Sequence, residues 1–296
     1  MKYNIETLRL AAVVLITFTH TRNNLDSGVF HYIIEQLPKF GTLTISIISG
    51  YLYWATSKNK ESIFTKKVKT LLIPYLIANG VVILLTISAQ NLFDYNFLNR
   101  LSFDYRIITE GLFALNSPPI NPPTYFLRDL FIIFTMIELV RNKNLYMLLI
   151  IVPYAVFGQL LIRYDILILF FAGVLFAHTE DFIKKNYFYI ILIGLIVCAS
   201  IISFNSIGVY KYPVAILTFI LFLNLKVKFF NVGGFAYLLF LYHSPVIVVI
   251  FPLLSLFVAQ PYLNVTFQII IAVFACSALY LLTRKYEKLK ILSGGR

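Results

Sequence analysis

The chain has 296 residues, of which 59% are apolar and only 13% are charged, and its net charge is +12. A soluble domain is about 45–50% apolar and about 25% charged, and the mean hydropathy of +0.83 is typical of a chain immersed in lipid. These values exclude an ordinary soluble enzyme, a disordered chain and a fibrous protein. The two cysteines, Cys198 and Cys276, lie in apolar runs, so neither a disulfide framework nor a metal site is expected.

Ten apolar runs, broken at Pro, Gly, Asn and Lys clusters, predict ten membrane helices. Continuous runs favour helices over a β-barrel, whose strands alternate in polarity. We therefore predict an all-α integral membrane protein, a bundle of about ten transmembrane helices forming one domain over residues 1–296. The predicted spans are 5–22, 39–57, 70–89, 123–140, 145–162, 165–179, 187–205, 211–225, 232–257 and 262–283.

The basic residues orient this bundle. If the N-terminus is cytoplasmic, most of the lysines and arginines fall in inner segments, as the positive-inside rule requires. Both termini are then cytoplasmic, and the positive charge needs no nucleic acid as a partner. The inner basic residues include Lys2, Lys58, Lys60, Lys66, Lys67, Lys69, Lys226, Lys228 and the tail 284–296.

One outer segment, residues 90–124, is much longer than the other loops. It mixes charged residues with aromatic ones such as Phe93, Tyr95 and Phe97, and it ends in the proline-rich stretch 117–123. Three interpretations stay open: a surface that contacts carbohydrate, a helix lying in the membrane interface, or a wetted connector with aromatic anchors.

Ionisable side chains inside the spans are functional candidates, because each costs several kcal/mol in lipid. Arg9 and His20 are eleven residues apart, which places both on one helical face, about 16 Å apart along the axis. Glu6 lies one turn before Arg9 and can pair with it. The full set is Glu6, Arg9, His20, Arg128, Asp129, Glu138 and His243.

This pair has a chemical use. The imidazole of His20 can take a proton from a hydroxyl nucleophile near neutral pH, and the guanidinium of Arg9 can bind an anionic or carbonyl-bearing donor. The alternative is that Arg9 reaches to the inner membrane surface while His20 is a wet interfacial residue.

Five segments, in chain order, resemble signatures of the membrane acyltransferase-3 family. The first contains an Arg and a His separated by ten residues, and the second carries an SGY stretch. The segments are 4–20 (NIETLRLAAVVLITFTH), 45–52 (ISIISGYL), 71–75 (LLIPY), 125–130 (YFLRDL) and 235–245 (FAYLLFLYHSP). Each is weak alone, but together they are specific and cover most of the chain.

The resemblance implies a membrane enzyme that transfers an acetyl group from acetyl-CoA to a hydroxyl of a surface carbohydrate. It implies that His20 is the catalytic histidine and that Arg9 is a donor-site residue. The sequence departs from the family where an Arg-x-x-Arg pair is common, because Lys67 and Thr70 stand there, and where Tyr125 replaces a common Trp. Lys66, Lys67 and Lys69 are then candidates to bind the CoA phosphates, or are simply topology signals.

The other polar residues receive lesser roles. We expect Arg128 and Asp129 to point about 100° apart and to pair with different helices, with Arg128 contacting donor or acceptor. His243 is expected either to be a buried, hydrogen-bonded residue or to have a second catalytic role. Glu6, Ser49, Tyr125, Asp129 and His243 are candidates for supporting the site; no serine nucleophile is expected, because Ser49 lacks the pattern of a nucleophile elbow.

The sequence analysis thus predicts an O-acetyltransferase of a bacterial inner membrane, acting on a surface polysaccharide or its lipid-linked precursor. Acetyl-CoA is the expected donor, and no permanently bound cofactor is expected. Two other classes stay open: a transporter, such as a flippase of lipid-linked sugars, and a structural subunit of a polysaccharide assembly complex. The flippase is less favoured because no paired, Gly/Pro-broken spans recur in two halves of the chain.

Overall fold

The computed structural model describes residues 3–23, 28–61, 63–94, 98, 100–203, 208–225 and 233–295. Within these ranges the chain is helical and has no β-strand, as predicted. Its α-helices of ten or more residues, named α1 to α10 in chain order, are Tyr3–Phe18, Phe40–Thr56, Ile73–Phe93, Tyr125–Asn142, Leu148–Phe157, Tyr164–His178, Glu180–Ser203, Lys211–Asn224, Gly233–Phe257 and Pro261–Lys285.

Each of these helices overlaps one predicted span, as expected for a multi-pass membrane protein. By length and composition, four helical stretches of the described residues are able to cross a membrane: Ile63–Leu92, Glu180–Ile201, Gly233–Phe257 and Pro261–Lys285. The total of ten spans and the cytoplasmic termini stay predictions. Lys2, Lys226, Lys228 and Arg296, used for the orientation, lie outside the described residues, as do Tyr95 and Phe97 of the outer segment.

The described parts of the outer segment contain little regular structure. Beyond the end of α3, their only α-helix is Arg106–Thr109, which is too short for the interfacial helix considered above. Backbone contacts tie the segment to the bundle: the Gln159 amide donates to the Leu115 carbonyl at 2.7 Å, and Tyr75 donates to the Leu112 carbonyl at 2.6 Å. The segment is therefore a folded cap on one end of the bundle.

Helix α1 is central to the bundle, since it packs on α2, α8, α9 and α10. Ile5 and Leu8 are buried in one apolar cluster with residues of α2 and α8, whereas Val13 and Ile16 are buried in a second cluster with α4 and α9. Lipid tails are as apolar as these side chains, so close packing rather than the hydrophobic effect holds such helices together.

Helices α2 and α6 pack closely, and two glycines permit their approach. A Cβ added to Gly50 would lie 1.8 Å from the Phe170 carbonyl oxygen, and one added to Gly173 would lie 2.0 Å from the Ile47 carbonyl oxygen. Tyr51, next in the chain, donates a hydrogen bond to the Glu180 carboxylate at 2.7 Å. The SGY stretch is thus explained by helix packing.

Replacing Gly50 or Gly173 with alanine is expected to lower the Tm, because overpacking costs about 1–3 kcal/mol when backbones must separate. Gly80→Ala in α3 is the matched control, since no atom lies within 4 Å of its added Cβ. That variant is expected to be neutral or slightly stabilising. Equal Tm values for the three variants in detergent would contradict the packing described here.

Candidate active site

His20 lies just beyond the end of α1, which corrects the prediction that one helix carries residues 5–22. The hydroxyls of Thr19 and Thr21 donate to the carbonyls of Ile16 and Phe18, both at 2.8 Å, and such local bonds compete with helical ones. The His20 amide bonds to the Thr17 carbonyl at 3.2 Å in a tighter turn. The helix therefore ends at Phe18. Because His20 lies outside it, helical spacing does not place Arg9 and His20 on one face.

The structure brings His20 together with His243, a pairing that the sequence did not predict. Their ring centroids are 5.4 Å apart. His243 is fully buried, and its Nδ1 lies 2.6 Å from the Leu239 carbonyl oxygen. A carbonyl only accepts, so the neutral ring carries its proton on Nδ1 and a lone pair on Nε2, which has no hydrogen-bond partner among the described residues.

His20 lines a cavity of 310 Å³, which we name the His20 cavity. Its walls come from the turn after α1, from α3, from the outer segment and from α9. The polar residues that line it are His20, Arg22, Thr86, Arg100, Asn121 and Ser244. It is large enough for a small polar group but is bounded mostly by apolar side chains.

Asn121, which the sequence analysis missed, joins the outer segment to the helices at this cavity. Its backbone N–H donates to the Asn79 Oδ1 at 3.1 Å, and its side-chain Nδ2 donates to the Leu241 carbonyl at 2.8 Å. That carbonyl lies four residues before Pro245, which has no N–H to donate to it. The Asn121 Oδ1 is buried without a partner among the described residues.

Gln268 of α10 fixes the backbone just after His20. Its Oε1 accepts from the Arg22 amide at 2.8 Å, and its Nε2 donates to the Arg22 carbonyl at 2.6 Å. Gln268 is fully buried. Gln268 carries no charge and was not predicted from the sequence, although an amide inside a long charge-free apolar run was a usable signal.

Arg9 lies at the other end of α1, in the expected pair with Glu6. Its Nη1 is 2.9 Å from each carboxylate oxygen of Glu6. The Glu6 side chain is buried. Arg9 lines a second cavity of 560 Å³, the Arg9 cavity, together with Ser49. Val13 and Phe240 are among the apolar residues that line it.

The basic segment before α3 divides at the Arg9 cavity. Lys66, Lys67 and Thr70 line the cavity, and Lys69 is not among its lining residues. Lys67 Nζ also lies 3.8 Å from the centroid of the Phe134 ring. The positions of the family's usual basic pair, Lys67 and Thr70, thus both face the cavity.

Helix α9 reaches both cavities. Tyr237 and Phe240 line the Arg9 cavity, and Ser244 and Pro245 line the His20 cavity. Phe240 and Ser244 are four residues apart, or about 6 Å along a helix. The linings of the two cavities therefore come within about one helical turn of each other on α9, and His243 lies between these two positions in the sequence.

The expectation that Arg128 and Asp129 pair with different helices is wrong. Arg128 Nη1 lies 2.6 Å from Asp129 Oδ1, because both side chains bind the same backbone segment after α5. Arg128 donates to the carbonyls of Gln159 and Leu160, and Asp129 accepts from the amides of Ile162 and Arg163. Both are buried, and neither lines the Arg9 cavity, so the donor contact of Arg128 stays a prediction that its placement does not support.

Tyr125 belongs to the same structural end of the bundle. Its hydroxyl accepts from Arg163 Nη1 at 3.0 Å, and Arg163 also pairs with Asp165. Tyr125 therefore supports the start of α6 rather than either cavity. In the part of the chain that the structure describes, no three His, Cys, Asp or Glu side chains cluster as metal ligands.

A family model described as an acyltransferase domain matches residues 2–284. The chain is also similar to the succinoglycan biosynthesis protein ExoH of Rhizobium meliloti (strain 1021), with 34% identity over 109 residues. The match covers 32% of this chain and 27% of that protein, about a quarter of the relative's length. No solved structure matches the chain.

Proposed function

Because the chain belongs to the acyltransferase family, we propose that it is a membrane O-acyltransferase. It moves an acetyl group from acetyl-CoA to a sugar hydroxyl of a surface polysaccharide or of its lipid-linked precursor. The name of the relative, which refers to succinoglycan biosynthesis, supports a glycan as the acceptor. We place the protein in a bacterial inner membrane, as one domain with both termini cytoplasmic.

One observation carries this proposal: helix α9 lines two cavities, and their linings come within about one helical turn of each other on it. The Arg9 cavity is basic, with Arg9, Lys66 and Lys67 on its lining and no carboxylate among its described lining residues. CoA carries phosphates, which guanidinium and ammonium groups bind. The donor thus binds with its phosphates at the lysines and its thioester toward Val13 and Phe240.

In the reaction, His20 removes the proton of an acceptor hydroxyl held in the His20 cavity. The oxygen attacks the thioester carbonyl, the C–S bond breaks, and the departing CoA thiolate takes the proton from His20. The products are the acetyl ester and free CoA. A route through a transient acetyl-histidine balances as well: His20 attacks the thioester carbonyl and CoA thiolate leaves, then the acceptor hydroxyl attacks the acetyl group, His20 leaves, and the thiolate takes the hydroxyl proton.

In this scheme His243 orients the imidazole ring of His20. Its Nδ1–H is held by the Leu239 carbonyl, so its Nε2 lone pair is available to accept from the ring N–H of His20. A base oriented by a third group is a recurring arrangement in nucleophilic catalysis.

The donor site is tested by CoA-dependent thermal stability. A ligand that binds only the folded state adds RT ln(1 + [L]/Kd), or about 2.7 kcal/mol at 100 times Kd. CoA is therefore expected to raise the Tm of the wild type, and Lys66→Ala/Lys67→Ala is expected to lose most of this rise. Lys69→Ala is the matched control, because Lys69 is adjacent in sequence but outside the cavity lining.

The result that contradicts the donor site is a CoA-induced rise that is absent in the wild type or equal in the double variant. Inorganic phosphate at the same concentration controls for a general anion effect. A flippase of lipid-linked sugars is not expected to respond to CoA.

Gln268 is expected to be a positioning residue for His20. Gln268→Ala frees the Arg22 backbone, and misplacing a catalytic group by about 1 Å can cost on the order of 10²-fold in rate. We expect kcat to fall by that order while the CoA-induced rise in Tm is unchanged.

Two further variants sharpen this test. Gln268→Glu keeps an acceptor for the Arg22 amide but cannot donate to the Arg22 carbonyl, so partial activity is expected. Thr266→Ala, on the exposed side of the same helix, is the control and keeps full activity. A Gln268→Ala protein with unchanged kcat overturns the assignment.

A further inference from the structure

The His20 cavity holds more positive charge than the transfer reaction requires. Its charged lining residues are Arg22 and Arg100, and no carboxylate lines it among the residues that the structure describes. General-base catalysis on a neutral sugar needs only an imidazole and hydrogen-bonding groups. The two guanidinium groups beside His20 therefore call for a separate explanation.

Neither guanidinium is neutralised by a carboxylate in the described part of the chain. Arg22 is held through its backbone by Gln268, and no hydrogen bond or ion pair of its side chain is found there. Arg100 Nη2 donates to the Pro119 carbonyl at 2.8 Å, which uses one of its five N–H groups.

Glu110, whose carboxylate acts electrostatically on Arg100, has other partners. Its Oε2 accepts from the amides of Asn116 and Ser117, each at 2.9 Å, and from the Ser117 hydroxyl at 3.0 Å. Partial burial opposes ionisation of Glu110, yet the bonds from Asn116 and Ser117 hold its pKa below the ordinary value. The carboxylate is thus occupied in folding the outer segment.

The environment of the two arginines favours the binding of an anion in the His20 cavity. Most of the cavity wall is apolar, and charges attract each other more strongly where water is excluded. Burial lowers the pKa of Arg100 even though Glu110 raises it, so this cation is desolvated without full compensation.

From these observations, and resting on the proposed function, we infer that the acceptor is an anionic glycan that carries a carboxylate or a phosphate close to the acetylated hydroxyl. Arg22 and Arg100 bind the anion, since a guanidinium matches both carboxylate and phosphate geometry. His20 meets the hydroxyl. The two arginines thereby select the acceptor and set its register against His20.

Binding of small sugar probes tests this inference without requiring transfer. Glucuronate, glucose 1-phosphate and methyl glucoside are compared by the rise in Tm that each produces, and a polyprenyl phosphate in detergent is a fourth arm. The anionic probes are expected to bind the wild type at least about tenfold more tightly than methyl glucoside, as expected for charge-assisted hydrogen bonds. The arm that binds best distinguishes a sugar acid from a sugar phosphate or a lipid phosphate.

Arg22→Gln and Arg100→Gln are each expected to remove about tenfold of the affinity for the anionic probes and to leave methyl glucoside unaffected. The CoA-induced rise in Tm, which arises at the other cavity, must persist in both variants and shows that they are folded. Equal binding of charged and neutral probes, no binding of any anionic probe, or unchanged preference in both variants would overturn the inference. Failure of CoA binding and of acetyl transfer, with the anion preference intact, would instead overturn the proposed function.

Discussion

Replacing His20 with alanine is expected to abolish acetyl transfer while the CoA-induced rise in Tm stays as in the wild type. His20 lines its own cavity and is not among the residues that line the Arg9 cavity, so donor binding does not depend on it. The loss follows because no other base lines the His20 cavity among the described residues, and general-base catalysis alone contributes about 10²–10⁴-fold.

Two further variants separate basicity from packing at this position. His20→Gln keeps some hydrogen bonding but cannot take a proton, so it is expected to be as inactive as His20→Ala. His178→Ala, which removes an exposed histidine packed on Trp54, is the control and keeps full activity. Near wild-type transfer by a folded His20→Ala protein would refute the mechanism but not the fold.

Arg9→Ala is expected to raise the donor KM strongly and to destabilise the protein at the same time. The variant loses a cation of the donor cavity, and it also removes a partner that bonds both oxygens of the buried Glu6 carboxylate. Breaking a buried ion pair by removing one partner costs about 3–5 kcal/mol, and the lower end applies because the Arg9 side chain is 18% exposed.

The two effects are separated by a second substitution. Arg9→Ala/Glu6→Gln removes the unpaired charge, so the Tm is expected to recover while the CoA-induced rise stays lost. Arg141→Ala, on an exposed arginine at the end of α4, is the control. Recovery of CoA affinity in the double variant would mean that Arg9 acts only through the stability of α1.

The positions of the helices could be predicted from the sequence, because a charge-poor apolar run can satisfy its backbone in lipid only as a helix. The pair of Glu6 and Arg9 could also be predicted, since it depends only on spacing within one helix. The end of α1 could not be predicted, because it depends on the hydrogen bonds from the Thr19 and Thr21 hydroxyls to nearby carbonyls. A hydropathy pattern contains no information about these bonds.

Contacts between distant segments were the hardest to predict. The proximity of His20 and His243 depends on how α1 packs against α9, and no periodicity within one helix encodes that packing. Arg128 and Asp129 were expected to diverge as helix neighbours do, but the long Arg128 side chain turns toward the segment after α5 that Asp129 also binds. Neutral residues such as Gln268 and Asn121 carried no charge to mark them.

In the proposed function, a donor bound on the inner side and an acceptor bound on the outer side meet at α1 and α9. The most direct test is to measure on which side of the membrane acetyl-CoA must be supplied for the outer glycan to be acetylated. Sealed right-side-out membrane vesicles from the producing cells carry the chain and its glycan, and acetyl-labelled acetyl-CoA is enclosed inside them. Base-labile label is predicted on the glycan outside with the wild-type chain, and none with His20→Ala. Label that reaches the glycan only when acetyl-CoA is supplied outside, or that reaches it equally with His20→Ala, would contradict the proposed function.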